Sequence, residues 1–302
     1  MKKKVLITGG TGLVGSAISD GIKISSKDVD LRNFNETLKL FKKISPTHII
    51  HTAARVGGIL GNTGHNGEFF YDNIMINTNV LEAARLVGTK RVVSYLSTCI
   101  FPNKIEYPLT EKKIFFGEPH DSNYGYSYAK RMGAVQSKVY NEQYGTKFSC
   151  IIPSNIYGPH DNFDLINGHV LPALIHKCYL AKKNNTDFII WGSGEPLREF
   201  IYSKDIAKLS EMILNNDNIL EPLIVTTGIE TSIKDVAIEI AQHMNFTGNI
   251  IFDSTKPDGQ FRKPSSNLEL LKYFPNFKFT KLTDGIKKTI KWFNENYENT
   301  RK

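Results

Sequence analysis

Three glycines near the start constrain this chain more than any other feature. Lys4 to Thr8 is a short apolar, partly β-branched run, the pattern of a buried parallel strand. Gly9, Gly12 and Gly15 follow at once in the spacing G-x-x-G-x-x-G, and Ser16-Ala17-Ile18 leads on into a helix. Glycine there allows a tight turn, close approach of backbone to a pyrophosphate, and close helix–strand contact. A helix beginning near Gly12 would aim its first N–H groups at phosphates. Gly9, Thr11, Gly12, Leu13 and Val14 therefore read as a dinucleotide-binding loop.

The alternation that follows fits such an opening. Thr47 to Ala54 reads as a strand running into a loop, and Asn73 to Val87 as a long helix. Arg91 to Ser97 is a strand, Tyr126 to Tyr144 a helix, and Phe148 to Pro153 another strand. This predicts an α/β fold, a Rossmann-like doubly wound parallel sheet with a smaller C-terminal substrate-binding lobe. The expected division is 1–162 for the dinucleotide domain, with 199–228 returning to it. Residues 163–198 and 229–302 would mainly form the lobe. Arg198 to Ala207 is expected to bring the chain back to the sheet, and Lys287 to Tyr297 to close it as a helix. Ligands bind beyond the carboxyl ends of strands in such sheets. The loops at 9–15, 53–58, 97–99 and 153–158 would thus meet in one crevice, with Ala53 and Ala54 beside the dinucleotide.

Tyr126 and Lys130 form Y-x-x-x-K, and Ser97 stands upstream at the end of an apolar run. Residues four apart share one helix face. A free tyrosine has a pKa near ~10, and an adjacent ammonium is expected to lower it. With the serine hydroxyl on the same substrate oxygen, the three would move a proton on or off a carbonyl oxygen during hydride transfer. Alone, the motif is common by chance; the glycine loop before it gives it weight.

The formal net charge is +8, which suits polyanionic small molecules. The basic residues are scattered and no nucleic-acid motif occurs, so nucleic acid is not an expected partner. Met1 to Lys4 and the apolar residues after it imitate a signal peptide, but glycines break the stretch and no small-residue cleavage site follows. No segment approaches the ~20 apolar residues of a membrane span. Cys99, Cys150 and Cys178 give neither a disulfide framework nor a zinc spacing. A soluble cytoplasmic protein without a metal is the expectation.

With these pieces placed, the chain resembles the extended short-chain dehydrogenase/reductase family. Within it, the likeness is to the branch that epimerises and reduces GDP-4-keto-6-deoxy sugars. The marks are Ala53 to Ile59, Ser97 to Pro102, Asn155 to Phe163, His169 to Leu174, Trp191 to Gly194 with Arg198 to Phe200, and Lys256 to Gly259 with Arg262-Lys263. The resemblance implies that Ser97, Tyr126 and Lys130 are the reductase triad and that Cys99 and His169 are an epimerisation pair. It places Asn155 and His169 near the nicotinamide, and Arg198 and Lys263 on the substrate diphosphate, with Lys177 and Trp191 in the same substrate site. It favours NADP over NAD, with Lys27 or Lys23 meeting the 2′-phosphate, although either reads equally as surface charge. It also implies a homodimer formed through the helices near 73–87 and 126–144. Taken singly, Cys99 reads equally as a small buried residue, and His169 as a structural residue at a helix start.

Three places depart from the branch. Thr98 replaces a serine, Gly64-His65 stands where Tyr-Pro is usual after Asn62-Thr63, and Lys177 replaces an arginine. Lysine keeps the charge but loses the bidentate fork. Three readings follow: C-4 reduction with 3,5-epimerisation; C-4 reduction alone on a related sugar such as a heptose; and a non-catalytic dinucleotide-binding regulator.

Overall fold

The computed structural model describes residues 3–57 and 64–302. The readings at Gly58, Ile59, Asn62 and Thr63 lie outside those residues. Eleven strands and nine helices are named here among the described residues. The strands are β1 Val5–Thr8, β2 Ile22–Ile24, β3 His48–His51, β4 Arg91–Tyr95, β5 Lys147–Pro153, β6 Asn155–Tyr157, β7 Phe188–Trp191, β8 Leu197–Tyr202, β9 Leu223–Val225, β10 Glu230–Ser232 and β11 Ile250–Asp253. The helices are α1 Leu13–Ala17, α2 Phe34–Ile44, α3 Asn66–Leu86, α4 Tyr124–Tyr144, α5 Val170–Asn184, α6 Ser203–Leu214, α7 Ile233–His243, α8 Leu268–Tyr273 and α9 Leu282–Asn296.

Six strands form one parallel sheet in the order β2-β1-β3-β4-β5-β9. Neighbouring residues along each strand face opposite sides. Leu6, Ile49, Val92 and Phe148 join the core beneath α2 and α3, with Phe41, Val80 and Leu81. Ile7, Ile50, Val93 and Ile151 join the opposite core beneath α1 and α6, with Ile206, Leu209 and Ile213. Burial on both faces explains why these strands read as continuous apolar runs. The order of connection reverses between β1 and β3, and the crevice of a doubly wound sheet opens at such a point.

The chain between Gly15 and Asp30 is short because α1 spans only five residues and β2 only three. Both long helices begin before their expected starts, α3 at Asn66 and α4 at Tyr124. Gly125 lets α4 press on the start of α3: a Cβ there would lie 2.4 Å from the Asn66 carbonyl. The last helix starts at Leu282, ahead of the expected Lys287.

Residues 198–207 bring the chain back to the main sheet, where Ile201, Ile206 and Ala207 join the core beneath it, although they add no strand to it. β8 pairs in parallel with β6 and antiparallel with β10 in a separate three-stranded sheet. Only then does α6 pass beneath the main sheet, and β9 joins its edge. Tyr157 and Phe200 pack with α5, α7 and α9 in a third core. Leu270 and Phe274, at and just past α8, pack back into the main-sheet core. Among the described residues, no helix is long and apolar enough to cross a membrane.

Candidate active site

The glycine loop is built against the end of β3. Gly9 has φ 69°, and a Cβ there would lie 2.8 Å from the Ala53 nitrogen. A Cβ on Gly15 would lie 2.3 Å from the Gly9 carbonyl oxygen. The loop is closed by Gly12 N–H on the Gly9 carbonyl at 3.0 Å, and tied to β2 by Gly10 N–H on the Ile24 carbonyl at 2.8 Å. Gly12 caps α1 with no side chain, so the first-turn amides face the loop uncovered. This cradle, which a side chain would fill, fits a pyrophosphate. Thr11 is exposed on its rim; Val14 is buried in the core, so it can contribute only its backbone. Ala53 and Ala54 are half-buried beside Gly9.

Lys23 and Lys27 part company. Lys23 donates Nζ to the Ser16 carbonyl at 2.9 Å and lies under Gly10. Lys27 is exposed in a turn that Asp28 closes by accepting from Ser25 N–H and Oγ at 2.8 and 2.9 Å.

Ser97, Thr98 and Cys99 end the run from β4, half-buried. Ser97 Oγ accepts from Cys99 N–H at 3.2 Å, while Ser127 Oγ donates to the Cys99 carbonyl at 2.9 Å. The second bond brings α4, and with it Tyr126, against the serine loop. Burial raises the Tyr126 pKa, the neighbouring Cys99 raises it further, and the Ser97 hydrogen bond opposes both.

The expectation that Lys130 lowers the Tyr126 pKa is not met in this structure. Lys130 donates Nζ to the Tyr95 carbonyl at 2.9 Å and stands 5.8 Å from the Tyr126 ring centre. Burial, with only 2% of the residue exposed, lowers its own pKa to about 8. Ser97 is the group that favours the phenolate here.

The residues expected around the substrate lie along one strap, 256–263. Lys177 Nζ sits 4.3 Å over the Trp191 ring, and Lys256 Nζ 6.0 Å over the same ring. Asp258 accepts from Ser193 N–H at 2.6 Å, pinning the strap beside the Trp191 turn. Arg198 donates to the Leu197 carbonyl at 2.8 Å, and a Cβ on Gly259 would approach its guanidinium to 3.9 Å. Lys263 ends the strap between the sites: burial lowers its pKa, Cys99 opposes this, and Arg198 adds to it. Burial likewise lowers the pKa values of Lys177 and Arg198. A run of partly desolvated cations thus leads from Trp191 to Cys99, suited to a diphosphate.

Asn155 and His169 stand apart from these contacts. Asn155 donates Nδ2 to the Glu199 carbonyl at 2.9 Å, across the small sheet. His169 precedes α5 with its backbone carbonyl bonded to Ala173 N–H at 3.1 Å. The residue as a whole is exposed, yet desolvation by the surrounding protein lowers the pKa of its imidazole. His65 pairs with Glu68 at 3.4 Å, at the start of α3. No cluster of His, Cys, Asp or Glu among the described residues has the arrangement of a metal site.

The sequence pattern included Asp258 only as part of the Lys256 to Gly259 mark, without its role as anchor of the strap, and did not reveal a buried polar set of Thr8, His51 and Asn77. His51 carried a signal: a histidine at the end of an apolar strand, immediately before the loop that touches Gly9.

A parallel sheet, a glycine cradle at its switch point and a Ser-Tyr-Lys trio define a dinucleotide-dependent short-chain oxidoreductase. The chain belongs to the NAD dependent epimerase/dehydratase family, whose model matches residues 5–228. It is 50% identical over 314 residues to the GDP-L-fucose synthase of Dictyostelium discoideum, covering 100% of this chain and 98% of that protein. Its fold matches a GDP-L-fucose synthetase from Naegleria fowleri bound to NADP, with a TM-score of 0.93, 44% identity, and coverage of 100% of this chain and 95% of the other. It also matches a GDP-6-OMe-4-keto-L-xylo-heptose reductase from Campylobacter jejuni, with a TM-score of 0.88, 26% identity, and coverage of 97% and 98%.

Proposed function

We propose that this chain is an NADPH-dependent enzyme of the GDP-L-fucose synthase type. It reduces C-4 of a GDP-4-keto-6-deoxy sugar, and epimerises C-3 and C-5 first, in nucleotide-sugar synthesis for surface polysaccharide. The observation that carries this reading is the joining of the Ser97–Tyr126 pair to the cation run through Cys99 and Lys263. An acid for a carbonyl oxygen and a seat for a diphosphate then share one cleft.

The glycine loop, Ala53, Ala54 and Lys130 would hold the dinucleotide, with Lys27 on the 2′-phosphate and Asn155 near the nicotinamide, and once bound it would supply a hydride. Tyr126 gives its proton to the oxygen on C-4, and Ser97 orients that oxygen by hydrogen bonding. A high tyrosine pKa suits this direction, because the proton stays on Tyr126 until an alkoxide forms. The 4-keto group acidifies the protons on C-3 and C-5. Cys99 takes such a proton from one face, and His169 returns one from the other. Residues 163–198 and 229–302 mainly form the substrate-binding lobe, with Lys177, Trp191, Arg198 and Lys263 on the nucleotide diphosphate.

A homodimer in the cytoplasm is the working state. Phe70 and Tyr71 on α3 and Val135 and Val139 on α4 leave apolar surface exposed. The similarity to a heptose reductase favours a second reading, in which only C-4 is reduced. The intact trio weighs against a purely regulatory dinucleotide-binding role.

Incubation with NADPH and a panel of GDP-4-keto hexoses and heptoses, with products read by NMR, tests the proposal. Reduction at C-4 with inversion at C-3 and C-5 is expected. Reduction without inversion supports the second reading, and no oxidation of NADPH with any member overturns both.

A further inference from the structure

A single polar file crosses the core between the glycine loop and the catalytic helix. Ala53 N–H donates to Thr8 Oγ1 at 3.4 Å, and Thr8 Oγ1 lies 2.7 Å from His51 Nδ1. His51 Nε2 lies 3.1 Å from Asn77 Oδ1, and Asn77 Nδ2 donates to the Ala129 carbonyl at 3.3 Å. Thr8, His51 and Asn77 are 0%, 2% and 4% exposed.

The two ends fix the direction of every bond between them. A carbonyl only accepts, so Asn77 turns its amide nitrogen to Ala129 and its oxygen to His51. His51 must then carry its proton on Nε2, which leaves Nδ1 as an acceptor. Thr8 must donate its hydroxyl to Nδ1, and its oxygen can take the Ala53 N–H. One neutral tautomer satisfies the whole file. Burial and the nearby Lys130 ammonium both disfavour the imidazolium, holding the pKa down at about 3.

The strand pattern alone does not call for such a group. An isoleucine at 51 would fill the position without a buried polar atom. The ends of the file instead fall on functional elements: Thr8 immediately precedes Gly9, Ala53 touches Gly9, and Ala129 immediately precedes Lys130. We propose that His51, as the neutral Nε2–H tautomer between Thr8 and Asn77, is a positioning residue that sets the spacing between the glycine loop and Lys130. A dinucleotide must touch both, so the file governs its affinity and its alignment for hydride transfer. The inference rests on the reductase reading above for the role of Lys130.

The test uses Thr8→Val, His51→Leu, the double variant and His51→Gln, with the NADPH dissociation constant measured by fluorescence beside kcat and KM. Thr8→Val keeps the shape and removes the hydroxyl, both the donor to His51 and the acceptor for the Ala53 N–H. Each single variant should weaken NADPH binding about tenfold, the scale of one buried hydrogen bond, and lower kcat. The double variant should be no worse than the worse single one, because one file is broken once. Gln accepts from Thr8 and donates to Asn77, so His51→Gln should recover most of both losses. Thr8→Val with unchanged dissociation constant and kcat overturns the proposal, even if His51→Leu fails to fold. Additive losses, or His51→Gln no better than His51→Leu, also overturn it. A wild-type protein that binds NADPH but reduces no GDP-4-keto sugar would instead defeat the functional reading, and the dissociation constants would still decide the file.

Discussion

Lys130 donates its ammonium to the Tyr95 carbonyl at 2.9 Å, and so is anchored to the end of β4. Burial lowers its pKa to about 8, against ~10.4 for a free lysine. The folded protein therefore holds this proton less tightly than the unfolded chain does. Between about pH 8 and ~10.4 the unfolded chain binds more protons, so this group makes stability rise with pH; below that window the full cost of the buried charge is present. Lys130→Met removes the titration. The variant's Tm relative to wild type should be most favourable at pH 7 and fall toward pH 10, while reductase activity is lost. A difference in Tm that stays constant across that range would refute the assignment.

Tyr126→Phe removes the proton donor but none of the groups that form the glycine cradle. NADPH should bind as before, and the rate of ketone reduction should fall at least ~100-fold, the usual scale of general acid catalysis. Because burial, Cys99 and Ser97 all act on this pKa, Ser97→Ala should raise it further and lose part of the rate. Near-wild-type turnover by Tyr126→Phe would sink the proton-donor role.

The fold was legible because both faces of the sheet are buried. Leu6 and Ile7, Ile49 and Ile50, and Val92 and Val93 each send neighbours to opposite cores, so the strands stand out as apolar runs. The glycine loop and Y-x-x-x-K were legible because their residues are close in sequence. Pairing partners were not. β8 looks like any apolar strand, and only tertiary packing assigns it to the small sheet with β6. The Lys130 ammonium was expected at Tyr126 because helix spacing fixes the face but not the reach of a flexible side chain. Asp258 on Ser193 spans residues far apart, and no local pattern announces such a contact.

Arg91 supplies a stability prediction independent of the chemistry. It is 1% exposed, and its guanidinium is held by carbonyls: Nη2 donates to those of Ile213 at 3.3, Asn216 at 3.1 and Ile219 at 2.6 Å. These carbonyls end α6 and the turn after it, where a cation suits the helix dipole. Arg91→Met fills the volume but removes the guanidinium bonds, including the 2.6 Å bond to the Ile219 carbonyl; the Ile213 and Asn216 carbonyls keep backbone donors. It should cost about 3 kcal/mol in urea unfolding, with the activity of the folded fraction unchanged. A loss below about 1 kcal/mol would mean that water replaces the guanidinium.

The apolar surface on α3 and α4 predicts the oligomeric state. Tyr71 is 58% exposed and Val139 43%. A charge at 139 would be buried unpaired between two copies. Val139→Glu should convert a dimer to a monomer by light scattering at micromolar concentration, leaving the monomer folded. If wild-type protein is already monomeric there, these faces do not form the proposed interface.

Cys99 and His169 should govern carbon protonation and leave hydride transfer alone. The argument is spatial. In the proposed mechanism Tyr126 and Ser97 address the oxygen on C-4, whereas inversion of its neighbours needs a base and an acid on opposite faces of the sugar. Cys99 lies at the junction of the two sets, a neighbour of both Tyr126 and Lys263. His169 stands at the head of α5. Cys99→Ser should stop solvent deuterium from entering C-3 and C-5 in the absence of NADPH, yet leave reduction of a pre-epimerised ketone nearly intact. His169→Ala should slow the exchange without abolishing it, because water replaces an acid more readily than a positioned base. If the wild-type protein reduces a 4-keto sugar well but exchanges no deuterium, the reductase-only reading stands, and Cys99 and His169 serve only to bind.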